Sequence, residues 1–207
     1  MALTKRVRPI QQSGDRRQGS RSYFGLVEQL DDANPVARRW AARDLAAFPE
    51  ATEALGAALR REHDASVREV MLTSLIGLGD EVAVSILLEC LRSPDVPLRN
   101  QAGEALQELP QQLAPVIGPL LRDSDPEVRI LAVTILRGLR NPEIEDWLLA
   151  LMVTETHVNV CGAAIDVLGE VATERSRLPL LDLRTRFADE AYIRFAVDLV
   201  LQRIGAT

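Results

Sequence analysis

Apolar positions recur along this chain in six near-copies of one pattern. Aligned on Arg38, Arg68, Arg99, Arg129, Cys161 and Arg194, the copies step by 30, 31, 30, 32 and 33 residues. The residue before each anchor is apolar: Ala37, Val67, Leu98, Val128, Val160 and Ile193. Three after it stand Ala41, Met71, Ala102, Ala132, Ala164 and Val197; seven after it, Leu45, Leu75, Leu106, Leu136, Leu168 and Leu201. Ten after it come Phe48, Leu78, Leu109, Leu139, Val171 and Ile204. At about 100° per residue these positions fall on one side of an α-helix, designated B.

Between the B segments run further helical stripes, designated A: Leu26 and Leu30; Leu55 and Leu59; Leu87, Leu88 and Leu91; Ile117, Leu120 and Leu121; Leu148, Leu149 and Met152; Leu180, Leu181 and Leu183. Breaker residues separate A from B. They read AspAspAlaAsnPro at 31–35, HisAspAlaSer at 63–66, SerProAspValPro at 93–97 and AspSerAspProGlu at 123–127. Asn, Asp and Ser cap an incoming helix, and Pro suits its first turn, where no N–H is needed. The fifth turn, 154–157, and the sixth, 188–191, are weaker. Ser22 is the expected N-cap of a first helix over Tyr23 to Asp31. No stretch alternates as a strand would. A unit of this size cannot bury its apolar face alone, so the units must stack. The expected fold is all-α, an α-solenoid (superhelix) of six antiparallel helix pairs in repeats of about 30–33 residues, over 22–207. Residues 1–21, rich in Arg, Gln, Ser and Gly, are expected to be a disordered basic tail.

Charge divides the same way. The chain carries −6 overall, while six basic groups against Asp15 leave residues 1–22 at +5 and the remainder at −11. An acidic body repels a phosphate backbone and weighs against nucleic-acid binding by the folded part. No apolar run approaches the roughly 20 residues that span a bilayer, and the basic start lacks the apolar core of a secretory signal. A cytoplasmic protein is expected. Cys90 and Cys161 lie in different copies without metal spacing and are expected to pack as small apolar groups.

The segment 121–139, LeuArgAspSerAspProGluValArgIleLeuAlaValThrIleLeuArgGlyLeu, resembles the short HEAT-like repeats of the phycobilisome-lyase type. The resemblance spans 23–205. It implies a HEAT-like binding scaffold, and it is specific for fold rather than for function.

The anchors Arg38, Arg68, Arg99, Arg129 and Arg194 suggest a ladder. Each sits at the edge of the core arc, four residues after a turn residue that is acidic in four copies: Asp64, Asp95, Asp125 and Glu190. A structural role follows: guanidinium forks holding turn carboxylates and carbonyls of the same or a neighbouring unit. Cys161 breaks the ladder and marks the fifth unit as locally weaker.

The resemblance also implies that the B helices line the concave face. Helical projection turns positions one, five, eight and nine after each anchor away from the core. The candidate partner-binding residues are therefore Arg39, Arg43, Glu69, Asn100, Glu104, Glu108, Ile130, Arg137, Asp166 and Phe195, with Trp40 beside them. Trp40 next to Arg39 and Arg43 is the first candidate contact, because Trp and Arg dominate interface energetics; a boundary core role for Trp40 stands equally open. Phe195 is expected to be covered by the chain end. Arg175, Arg177, Arg184 and Arg186 read as a solvated outer face.

Catalytic motifs are missing. No His precedes a Glu as the HEAT-like di-iron hydroxylases require, and there is no Cys-x-x-Cys, Walker loop or Gly-x-Gly-x-x-Gly. The acidic body departs from the basic grip of HEAT-like DNA glycosylases. No metal or cofactor is expected. The leading reading is a non-catalytic scaffold or adaptor whose B-helix face binds a protein, such as a segment or helix offering basic and apolar groups. The alternative implied by the resemblance is a bilin (tetrapyrrole) lyase-type protein, with Cys161 or the Trp40 corner facing the chromophore. A third reading, nucleic-acid binding through the tail, requires salt-sensitive binding lost on deleting 1–21.

Overall fold

The computed structural model describes residues 21–205. The predicted tail lies outside the described residues except for Arg21. Among the described residues there are twelve α-helices and no strand: α1 Tyr23–Gln29, α2 Pro35–Leu45, α3 Thr52–Leu59, α4 Ala65–Leu78, α5 Glu81–Cys90, α6 Val96–Gln107, α7 Pro110–Leu120, α8 Pro126–Gly138, α9 Ile144–Thr154, α10 Val158–Val171, α11 Arg177–Arg186 and α12 Ala191–Gly205. Short 3-10 turns at Pro49–Ala51 and Glu174–Ser176 lead into α3 and α11. The all-α class of alternating A and B helices stands as the sequence predicts.

Side-chain caps start six of these helices. Ser22 Oγ accepts from the Gly25 amide at 3.3 Å, and Asn34 Oδ1 from Val36 at 3.0 Å with Pro35 in the first turn. Asp64, Asp80, Asp95 and Asp125 do the same for α4, α5, α6 and α8. Each cap satisfies a donor that the helix itself leaves unpaired. The first helix stops at Gln29, two residues short of the expected Asp31. Gly79, at φ +55°, reverses the chain after α4, a conformation that disfavours side chains.

The chain separates into two compact units between Ser74 and Leu75, inside α4. In the first, α1 packs on α2, and Tyr23 donates to the Glu50 carbonyl at 3.3 Å. Leu26, Leu45, Leu55, Leu59 and Met71 form its core. In the second, α5, α7, α9 and α11 pack on α6, α8, α10 and α12 respectively. The B helices α6, α8, α10 and α12 stand side by side in chain order; α5 lies beside α7, and α9 beside α11.

Every residue three after an anchor is buried, as are Leu45, Leu75, Leu106, Leu136 and Leu168 seven after. Leu201 is only half-buried, and Leu181, expected in the core, is exposed. Both belong to the sixth pair, where no following pair covers the flank among the described residues. The projection also missed two buried positions. Residues four after the anchor (Ala42, Leu72, Gly103, Val133, Ile165) and six after it (Ser74, Ala105, Ile135, Val167, Val200) are buried. These pack B helix against B helix: Gly103 faces Ile135, Gly169 faces Val200, and Ser74 Oγ donates to the Ala42 carbonyl at 3.0 Å.

A candidate partner groove and the clamps that hold it

In the first unit α2 and α4 leave a groove of about 510 Å³ between them. Its rim carries Arg39, Arg43, Ala46 and Glu69, all exposed; its floor holds Val70 and Ser74. Trp40 is half-buried in its wall, with the Arg43 guanidinium 5.4 Å from the ring centroid. Residues 40 and 43 are neighbours on a helix surface, so the cation rests on the π face while its outer edge remains free to donate. The arrangement offers an apolar seat, two forked cations and one carboxylate. Four of the predicted binding residues thus line one recess.

The remaining ones are distributed over the second unit. Asn100 and Glu104 are exposed on α6, Glu108 at its C-cap, Arg137 on α8 and Asp166 on α10. Arg137 Nε lies 3.8 Å from Glu170, and Asp166 accepts from the Tyr192 hydroxyl at 3.1 Å. Ile130, expected to face solvent, is half-buried because α10 packs beside α8. Phe195, expected beneath the chain end, is 68% exposed. Gly162, at an outward-projected position, is buried under the Tyr192 ring. The arginines around α11 are held by acids: Arg175 by Asp146, Arg177 by Glu174, Arg184 by Asp198 at 2.7 Å and Arg186 by Asp182 at 3.0 Å.

Two anchors hold a neighbouring pair in the same way. Arg38 donates from Nε and Nη2 to Glu62 at 2.6 and 2.9 Å, and from Nη1 to the Asp32 carbonyl at 2.8 Å. Arg129 repeats this with Glu155 at 2.7 and 3.0 Å and the Asp123 carbonyl at 2.8 Å. Glu62 Oε1 also accepts the His63 and Asp64 amides, and Glu155 Oε1 those of Thr156 and His157, all at 2.8–2.9 Å. The carboxylate is therefore a hub joining one pair to the next turn.

The acidic partners differ from those expected. Asp64, Asp95 and Asp125 cap helices, whereas the clamping carboxylates stand six residues before an anchor. Alignment at that position (Asp32, Glu62, Ser93, Asp123, Glu155, Ala188) is the signal that would have found them. Arg68 and Arg99 donate to that residue's carbonyl in their own turn, at 2.8 and 2.7 Å. Arg194 is exposed and joins no clamp among the described residues. At the Cys161 break, Arg186 of α11 donates to the Glu155 carbonyl at 3.1 Å, so a guanidinium still serves that turn.

The six-fold register and the Arg–Glu joints between successive helix pairs describe a stack of HEAT repeats, whose family pattern matches residues 25–107 and 114–202. The chain belongs to the HEAT-repeat family. Similar solved structures include an archaeal HEAT-like repeats protein from Thermococcus onnurineus NA1, at 16% identity over 89% of this chain and 87% of that one, TM-score 0.49. The complex of CpcE and CpcF of phycocyanin lyase from Nostoc sp. PCC7120 is 17% identical over 96% and 99%, TM-score 0.38. A designed armadillo repeat protein is 16% identical over 86% and 98%, TM-score 0.40. These likenesses concern the fold alone. No curated protein matches the chain.

As a HEAT-repeat chain it is of the α-solenoid class. No described helix is long and apolar enough to cross a membrane. Among the described residues no three His, Cys, Asp or Glu side chains converge to hold a metal ion. Cys161, considered above as facing a tetrapyrrole, is buried, and desolvation with Glu155 nearby pushes its thiol up to about 11. It is a protonated core thiol rather than a nucleophile.

The clamps give the HEAT stack an acid limit. The Arg38 fork holds Glu62 below its ordinary 4.5 against the cost of burial. For Glu155 burial alone pushes the carboxyl up, but the Arg129 fork and the turn amides outweigh it and leave it below 4.5. A carboxyl with a depressed folded pKa stabilises fully above its unfolded value, and that contribution is lost as pH falls through the folded one. Urea midpoints should be flat near neutrality and fall progressively below about pH 4.5. Replacing both glutamates by glutamine should flatten the acid limb; an equally steep limb in that variant would place the acid sensitivity elsewhere.

Proposed function

We propose that this HEAT-repeat chain is a non-catalytic scaffold that binds a protein segment, with the α2–α4 groove as its primary contact. The supporting observation is the groove itself: a half-buried Trp40, a stacked Arg43, Arg39 and Glu69 around an apolar floor. Half-buried aromatic and Arg anchors in a recess are where binding energy concentrates. The segment inserts an apolar side chain against Trp40 and offers a carboxylate or carbonyls to Arg39 and Arg43. On the second unit Glu104, Glu108 and Asp166 suit a segment with basic groups, which steer encounter more than they add affinity.

Affinity capture with the intact chain and with the Trp40→Ala/Arg43→Ala variant, followed by identification of the bound protein, tests this reading. A partner retained by the former and reduced at least tenfold with the latter is expected, consistent with about 1–2 kcal/mol per anchor. The melting temperature should fall less than for a core truncation, because Arg43 is exposed and Trp40 only half-buried. Equal retention by both chains would remove the groove from the account.

A further inference from the structure

The sixth helix pair carries an apolar flank that the repeat register itself explains. In the second unit, residues one, four, five and eight after an anchor turn toward the following pair. Gly162 meets Tyr192, Gly103 meets Ile135, Asp166 accepts from Tyr192, and Gln107 donates to the Thr134 carbonyl at 3.3 Å. In α12 these positions are Phe195, Asp198, Leu199 and Gln202. Phe195 and Leu199 are 68% and 57% exposed. On α11, Leu181 shares a face with Arg184, which bonds Asp198 at 2.7 and 3.2 Å; Leu178 lies one turn further back. Leu178 and Leu181 are 76% and 42% exposed. One exposed leucine is ordinary, but four large apolar groups around a single ion pair are not.

We propose that this α11–α12 flank is a self-association face that takes a second copy of the chain around a two-fold axis. The flank occupies the positions that pack pair against pair elsewhere in the unit, so a helical pair is the surface it fits. Its charges are self-complementary. The face offers one guanidinium and one carboxylate, Arg184 and Asp198, and a two-fold axis passing between them sets each against its opposite in the other copy. A uniformly acidic or basic target would face a like charge at that centre. Helices of 10 and 15 residues present a footprint on the order of 400 Å² per copy, below the roughly 800 Å² of a standard interface. The dimer is therefore reversible and concentration-dependent rather than obligate. This inference is independent of the partner groove in the first unit.

Sedimentation velocity of the full chain over a wide loading range tests it, alongside Phe195→Glu/Leu199→Glu and, separately, Leu178→Glu. All three residues are exposed, so helical content and melting temperature should be retained. The intact chain should pass from monomer to dimer as concentration rises. The double variant should stay monomeric throughout, and Leu178→Glu should weaken the dimer at least tenfold. A chain monomeric at the highest loading would overturn the proposal, as would a folded double variant that dimerises like the original. A series growing beyond the dimer would overturn the two-fold arrangement.

Discussion

Leu106→Ala and Leu136→Ala are each expected to destabilise the protein by about 2–5 kcal/mol, the largest effect of any single core truncation in this chain. Both side chains are fully buried, seven after their anchors in α6 and α8. Helix α8 lies between α6 and α10 with α7 behind it, and α6 is packed by α8, α5 and α7, so a cavity in either loses contacts on three fronts. In a repeat stack stability is close to a sum of unit and nearest-neighbour terms, and a central unit contributes two neighbour terms. Leu201→Ala should cost clearly less, because Leu201 is already half-exposed. Urea denaturation followed by circular dichroism checks this: the midpoint should fall with little change in slope. A loss at Leu201 equal to that at Leu106 would contradict the layered packing described above.

Glu155→Ala should cost about 3 kcal/mol, although it removes a charged residue from a turn. The alanine strands the Arg129 guanidinium, whose side chain is 15% exposed, and leaves the Thr156 and His157 amides without their acceptor. Glu155→Gln keeps an acceptor oxygen and should lose less. The same change at an exposed pair of equal charge, Asp146→Ala beside Arg175, should hardly register, since solvent screens it and long side chains resist ordering. A double-mutant cycle between Arg129 and Glu155 should show coupling above about 1 kcal/mol. Additive single effects would mean that the clamp holds no more than its separate parts.

The helices were legible because the pattern has the period of a helix and several starts carry their own cap. Asn34, Asp64, Asp95 and Asp125 act within three residues, where sequence reasoning is strongest. What escaped depends on neighbours distant in sequence. Ser74 and Gly103 do not read as core residues, yet both are buried because an adjacent B helix closes over them. Glu62 and Glu155 lie 24 and 26 residues from the arginines they bind, so their role follows only from how one pair meets the next. Trp40 was identifiable as a candidate from its arginine neighbours; the groove around it needs Val70, Thr73 and Ser74, supplied by α4. Leu181 was misjudged for the converse reason: helical spacing marks a face as apolar but does not say whether anything lies against it.

The most direct test of the central claim places a photo-crosslinking amino acid at position 43, on the groove rim, and at position 53, on the exposed outer side of α3. Irradiation in the presence of the captured partner should join that partner to position 43 and leave position 53 unreacted. Crosslinks from position 53 with none from position 43, while the partner remains bound, would contradict binding in the α2–α4 groove.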